Sequence, residues 1–126
     1  MNVGRALDEL IAERVLKLDV RYRPAEPFVQ ADGTTAIAPE VRWLPGRSLP
    51  AYSRDIESAM EVVTALRQRW ARGDDTNEFL TIKDCGPFGW RVEIEFVPDH
   101  DAPVVTHSAT ADTLPHAICL VALKYC

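Results

Sequence analysis

The sequence predicts an α+β fold in which helices pack against a small antiparallel sheet. Residues 7–16 and 53–72 carry apolar side chains at the three- and four-residue spacing of amphipathic helices. Between residues 79 and 109, short segments of alternating apolar and polar residues are separated by turn formers, which is typical of a strand meander. The length of 126 residues fits one domain, and we expect residues 1–126 to form it.

The first helix is predicted over residues 7–16. Its apolar face consists of Leu7, Leu10, Ile11 and Val15. The charged residues Asp8, Glu9, Glu13 and Arg14 fall between them, and we expect these side chains to take the opposite side of the helix.

Proline dominates the next segment, residues 23–50. Five of the nine prolines lie there: Pro24, Pro27, Pro39, Pro45 and Pro50. Because proline lacks an amide donor and fixes φ, we predict a loop-rich segment without a long helix. Short extended pieces at residues 28–31 and 35–37 flank Asp32-Gly33, a pair that suits a tight hairpin turn.

The second helix has the clearest start signal in the sequence. Ser53 is predicted to be its N-cap, and Asp55 and Glu57 place negative charge at the positive end of the helix dipole. Gly73 is predicted to end the helix. The apolar face is predicted to comprise Ile56, Ala59, Met60, Val63, Leu66 and Trp70.

Three strands and a last helix complete the prediction. We expect strands at residues 79–83, 90–96 and 104–109, with turn formers between them. Asp112 or Thr113 then caps a helix that tolerates Pro115 in its first turn. Residues 117–123 are apolar nearly all round, so this helix is buried on more than one side, either between core and loops or against a second subunit.

Charge and composition exclude several classes of function. The net charge of −5 argues against general nucleic-acid binding, which depends on Lys and Arg displacing counterions from phosphates, but it leaves room for one small anionic ligand. No apolar stretch is long enough to span a bilayer, and Asp8 and Glu9 interrupt any signal peptide, so we expect a cytoplasmic protein. The cysteines lack a C-x-x-C pair and are expected to be reduced thiols: Cys85, Cys119 and Cys126.

Three segments together resemble the phage ABA sandwich domain family. They are residues 7–15 (LDELIAERV), 50–56 (PAYSRDI) and 111–124 (ADTLPHAICLVALK). The resemblance spans nearly the whole chain in the correct order, although residues 23–50 are longer than the family pattern. It implies a phage or prophage protein, the cytoplasm of the host cell as its location, and a three-layer α/β/α sandwich with a small antiparallel sheet between helices. It implies no catalytic residues.

The loop that leads into the second helix is the best candidate for ligand binding. The residues concerned are Arg42, Trp43, Arg47, Tyr52 and Ser53. Trp43 and Tyr52 can stack on a flat ring, while Arg42 or Arg47 meets a phosphate near the free amides of the helix N-terminus. The structural alternative is that Trp43 covers the core and Tyr52 packs at the helix start.

Other candidate sites have weaker signals. Asp99, His100, Asp101 and His107, with His116 further on, contain the side chains that metals prefer, but Asp is common in such Pro-flanked turns for backbone reasons. No nucleophile motif or phosphate loop is present, so we expect no metal, no cofactor and no enzymatic activity. An exposed aromatic at Phe88 would suit a partner surface, whereas Trp90 begins the apolar face of a strand.

Three functions remain open at this level. The first is a non-catalytic phage accessory protein that sequesters a small nucleotide-like ligand, such as a host defence signal. The second is a homo-oligomeric interaction or assembly protein that uses its apolar last helix. The third, and the least supported, is a metal-dependent hydrolase built on the Asp99 to His107 residues.

Overall fold

A computed structural model describes residues 1–72, 77–97 and 103–126, and it confirms the α+β sandwich. Helical segments lie near both ends and in the middle of the chain, and antiparallel strands fill most of the intervals. The buried core is drawn from the first helical segment, the central helix, the sheet and the last helix. None of the helices in the described ranges is long and apolar enough to cross a membrane.

The first helical segment is α1, Arg5–Leu10, which continues as one π-helical turn, Ile11–Val15. The wider turn is closed by the amide of Leu16, which donates to the carbonyl of Ile11 at 3.0 Å. Leu7, Ile11 and Val15 are buried as predicted. Asp8 and Glu9 are buried as well, which corrects the prediction that they lie on the opposite, charged side.

A single antiparallel ribbon, here called the ribbon arm, occupies residues 21–43. Its inner ladder pairs β1, Arg21–Arg23, with β4, Val41–Trp43, and its outer ladder pairs β2, Glu26–Val29, with β3, Thr35–Ala38. Both ladders share one register, so they are two halves of the same hairpin.

Strands therefore occupy much of the segment for which the sequence predicted loops. Pro24 and Pro39 lie in the gap between the two ladders, and Pro27 is accommodated because each strand of a two-stranded ribbon has a free edge. The hairpin turn predicted at Asp32-Gly33 is confirmed: the amide of Gly33 donates to the carbonyl of Gln30, and the amide of Thr34 donates to Asp32 Oδ1, both at 3.0 Å.

The central helix is α2, Ile56–Arg72, and its N-cap is Asp55 rather than Ser53. The amide and the hydroxyl of Ser58 both donate to Asp55 Oδ2, at 3.0 and 2.8 Å, and these bonds lower the pKa of Asp55. Ser53 fails as the cap because it lies in the preceding turn, in which the amides of Arg54 and Asp55 donate to a single carbonyl.

The apolar face of α2 differs in part from the predicted one. Its buried residues are Ala59, Val62, Val63 and Leu66. Ile56 and Met60, predicted to face the core, are 43% and 45% exposed, because the buried stripe on α2 is narrower than the apolar stripe in the sequence. The side chain of Trp70 and the predicted stop at Gly73 lie outside the described part of the chain.

The predicted meander is confirmed. It consists of β5, Asn77–Asp84, β6, Trp90–Val97, and β7, Val105–Ala111, hydrogen-bonded in that order. Val92 and Ile94 of β6 are buried, Glu93 between them is partly buried, and Arg91 before them is exposed. The turn between β5 and β6 is a short 3₁₀ helix, Gly86–Phe88.

The last helix is α3, Leu114–Tyr125, with Thr113 as its extended N-cap residue and Pro115 in its first turn. It packs against β6, β7, α2 and the π-helical turn. Its fully buried residues are Ala117, Ile118, Cys119, Val121 and Ala122. The sequence left two alternatives for this helix, burial within the chain and burial against a second subunit. Packing within the chain's own core accounts for these five residues.

Candidate functional site

The five predicted binding residues do not meet at one place. Arg42 and Ser53 belong to polar contacts that hold the fold together, Trp43 lies on the ribbon arm, and Arg47 and Tyr52 line a cleft. The contacts of each residue decide what it is free to bind.

Arg42 is committed to other side chains of the chain. Its guanidinium lies 3.3 Å from Glu9 Oε2 and 3.6 Å from a carboxylate oxygen of Glu40. The same group stands 5.2 Å from the centre of the Tyr22 ring, within cation–π range. Arg5 donates to the carbonyl of Arg42 at 2.6 Å and also pairs with Glu9. Arg42 therefore fixes the base of the ribbon arm to α1.

Ser53 is held by the neighbouring Asp8. The backbone amide of Ser53 donates to Asp8 Oδ1 at 2.8 Å, and the guanidinium of Arg54 lies 3.5 Å from Asp8 Oδ2. The hydroxyl of Ser53 accepts a hydrogen bond from the amide of Gly4 at 3.1 Å. These partners explain why Asp8 and Ser53 are buried, since a buried carboxylate needs donors. The sequence offers no spacing signal for a contact across 45 residues.

The cleft lies between α2, the segment after the π-helical turn and the loop that precedes α2. Its volume is about 500 Å³. The lining residues are Leu16, Leu18, Arg47, Tyr52, Glu57, Met60, Glu61, Thr64, Ala65 and Gln68. A smaller cavity of about 160 Å³ adjoins it and shares Leu18 and Arg47.

Tyr52 carries the most informative polar group in the cleft. Its side chain is fully buried, and its hydroxyl has no hydrogen-bond partner among the described residues. Burial raises the pKa of Tyr52 above its usual value, and the nearby charge of Arg47 offsets part of that rise. An unpaired buried hydroxyl costs about 1–3 kcal/mol, so a polar group that reached it from the cleft would regain that hydrogen bond.

The charges around the cleft are mainly negative. Arg47 pairs with Glu61 at 3.9 Å, and the side chains of both are about half exposed. Glu57 adds a second carboxylate on the same face of α2. The sequence prediction missed this wall, because Met60 was assigned to the core, Glu57 was assigned to the helix dipole, and Glu61 was given no role. The sequence signal that could have revealed the wall is the apolar stripe of α2, which is too wide to be buried entirely against the core.

The weak metal candidate at Asp99 to His107 lies largely outside the described ranges. Asp99, His100 and Asp101 lie outside them, and no group of three suitable ligands occurs inside them. His107 lies on the covered face of the sheet, where its ring stacks on Phe96 with 6.5 Å between centroids. His116 Nε2 lies 2.7 Å from the carbonyl oxygen of Met1.

The remaining candidates are a thiol and three aromatic residues. Cys119 is buried in α3, and burial raises the pKa of its thiol to about 12, so the nucleophilic thiolate is disfavoured at neutral pH. Phe88 is 78% exposed, as expected, whereas Trp90 packs against the core. Trp43 is exposed on the ribbon arm and lines neither the cleft nor the adjoining cavity.

Comparison with known proteins adds one finding. A family model described as the phage ABA sandwich domain matches residues 9–123 of the chain. No curated protein and no solved structure matches it.

Proposed function

Because the chain belongs to the phage ABA sandwich domain family, we propose that it is a non-catalytic phage protein that binds a small, ring-containing ligand in the cleft beside α2. The observation that carries the proposal is that Tyr52, which lines this cleft, has a buried hydroxyl with no hydrogen-bond partner among the described residues. Native proteins rarely leave such a group unsatisfied, and a bound ligand that supplies the partner is one explanation.

The shape of the cleft suits a small molecule. Its volume of about 500 Å³ lies within the roughly 300–1,000 Å³ that is usual for ligand sites. Leu16, Leu18 and Met60 offer apolar contact to a flat ring, and Thr64 and Gln68 add polar side chains on the α2 wall. A ligand with one apolar face and several polar edge groups fits this lining.

The charge of the lining narrows the ligand class. Glu57 and Glu61 outnumber Arg47, so hydrogen-bond donors on the ligand gain more there than phosphates do. We therefore propose a nucleobase-like or nucleoside-like ligand, with any single anionic group held at Arg47. For a member of a phage family, we propose that the biological role is to sequester such a molecule in the host cytoplasm, for example a defence signal.

Calorimetric titration with a series of ligands tests this proposal. The series contains purine and pyrimidine nucleosides, their monophosphates, their triphosphates and cyclic nucleotides. We expect a nucleoside or monophosphate to bind and the matching triphosphate to bind more weakly, because each added phosphate meets the two carboxylates. If no member of the series binds, the proposal is wrong.

A matched pair of variants tests the role of the hydroxyl. Tyr52→Phe removes it, and we expect the ligand's affinity to fall about threefold to tenfold, the effect of one hydrogen bond. Tyr22→Phe makes the same chemical change on the exposed ribbon arm and should leave the affinity unchanged. Equal affinities for the two variants would contradict a contact at Tyr52.

A further inference from the structure

The ribbon arm exposes several large apolar side chains. Val29 and Ile37, near its tip, are 73% and 71% exposed, and Trp43 at its base is exposed as well. We propose that the arm joins two copies of this chain, by packing the same face of each arm against the other in antiparallel orientation about a two-fold axis.

The register of the ribbon separates two faces. Residues directly opposite each other in an antiparallel ladder lie on the same face, and the faces alternate along each strand. One face therefore carries the pairs Pro27 with Ile37 and Val29 with Thr35, and further along Trp43, and is here called the outer face. The second face, here called the inner face, carries Phe28 in the outer ladder.

At the base of the arm, the inner face is the one that meets α1. It also carries Arg42, whose guanidinium pairs with Glu9 of α1 and lies over the ring of Tyr22, its direct ladder partner. At the base of the arm, the outer face is therefore turned away from α1. Its apolar side chains are left for another molecule to cover.

The total surface is large enough for such a contact. The chain exposes 8087 Å², whereas a compact protein of 14.1 kDa exposes roughly 6,700 Å². The surplus of about 1,400 Å² per chain exceeds the ~800 Å² that each partner buries in a standard interface. This surplus belongs to the whole chain, and the arm contributes to it because its outer strands pair only with each other among the described residues.

The charges on the arm favour a second copy of the same chain. Arg23 lies at the base on the outer face, Arg21 on the same face pairs with Asp19 at 3.3 Å, and Asp32 lies in the turn at the tip. Hydrogen bonds from Thr34 hold the pKa of the Asp32 carboxyl below its usual value, so this group is charged at neutral pH. When two arms pack in antiparallel orientation, the positively charged base of each arm faces the negatively charged tip of the other. A two-fold axis therefore creates this contact twice in one dimer.

The prolines of the arm favour packing through faces rather than edges. Pro24, Pro27 and Pro39 cannot donate backbone hydrogen bonds to an added strand. The side chains of the outer face, rather than the backbone edges of the arm, are therefore suited to pack against a second copy.

The oligomeric state in solution tests this inference. In sedimentation equilibrium we expect the full chain to be a dimer at micromolar concentration. Ile37→Asp, on the outer face, should raise the dissociation constant about a hundredfold or more, because each dimer buries two copies of the residue. Phe28→Asp, a like change on the inner face at 47% exposure, should leave the dimer intact.

Reversal of the charges at base and tip provides an independent test. Asp32→Arg should weaken the dimer, and the added change Arg23→Asp should restore it, because each charge then meets its opposite again. A monomeric wild-type chain, an unchanged dimer in Ile37→Asp, or equal effects of Ile37→Asp and Phe28→Asp would overturn the inference. Circular dichroism of each variant checks that its fold is retained.

Discussion

The substitution Tyr52→Phe should make the ligand-free protein more stable. The hydroxyl is buried without a partner among the described residues, and leaving such a group unpaired costs about 1–3 kcal/mol. Phenylalanine keeps the ring in the core and removes this cost. Because phenylalanine leaves a small gap where the hydroxyl was, we expect only about 1 kcal/mol of the penalty to be recovered. For a domain of this length, that raises Tm by roughly 3–6 °C.

Urea unfolding at pH 7 measures the effect, with an unchanged slope as the sign that both proteins unfold in the same way. A Tyr52→Phe protein that is less stable than wild type by 1 kcal/mol or more would refute the reasoning, since it would mean that the hydroxyl has a good hydrogen-bond partner. Greater stability of the free protein combined with weaker ligand binding would mark Tyr52 as a residue kept for binding.

The pH dependence of the same variant supplies a second measurement. Burial raises the pKa of Tyr52 in the folded protein above its model-compound value of 10.0. The unfolded chain therefore releases this proton first as pH rises, and the stability linked to the neutral phenol is lost as pH rises through the folded pKa. Phenylalanine has no proton to lose, so the advantage of the variant should grow above pH 10, and a constant difference would contradict the burial of the hydroxyl.

Two further predictions concern stability and are also measured by urea unfolding. Gly89→Ala should lower the free energy of unfolding by more than about 2 kcal/mol, because φ is +91° there and a Cβ would collide with the carbonyl group of Ala111. Gly33→Ala, at φ +84° in open space, should lower it by only about 1 kcal/mol. Equal losses for the two variants would contradict the collision. Asp8→Ala should cost about 2–3 kcal/mol because it leaves the amide of Ser53 buried without an acceptor, whereas Asp8→Asn keeps an acceptor and should lose less, so similar losses would argue against that hydrogen bond.

The helices and the meander could be predicted because their signals are local. The alternation around Val92 and Ile94 needs only neighbouring residues to be recognised, and the structure pairs that strand as expected. The N-cap of α2 was misplaced by two residues, because Ser53 and Asp55 are both good caps and the choice depends on which side chain is taken up elsewhere.

The candidate site could be predicted only in part. Arg47 and Tyr52 were assigned to a ligand site and do line the cleft. Arg42 was assigned to the same site, yet it is neutralised by Glu9, which lies 33 positions earlier in the chain. Whether a charged side chain is free to bind a ligand depends on such distant partners, and a single sequence does not contain that information.

Asp8 and Glu9 are consecutive, and they hold two different parts of the molecule. Asp8 fixes the turn that follows Tyr52, and Glu9 fixes the base of the ribbon arm through Arg42. Adjacent residues on a helix are separated by about 100° of rotation, so the orientation of α1 about its own axis sets the position of both parts at once. A single residue inserted after Glu9 would rotate both carboxylates by about 100° relative to the buried Ile11 and Val15, so the cleft and the arm would lose their alignment together.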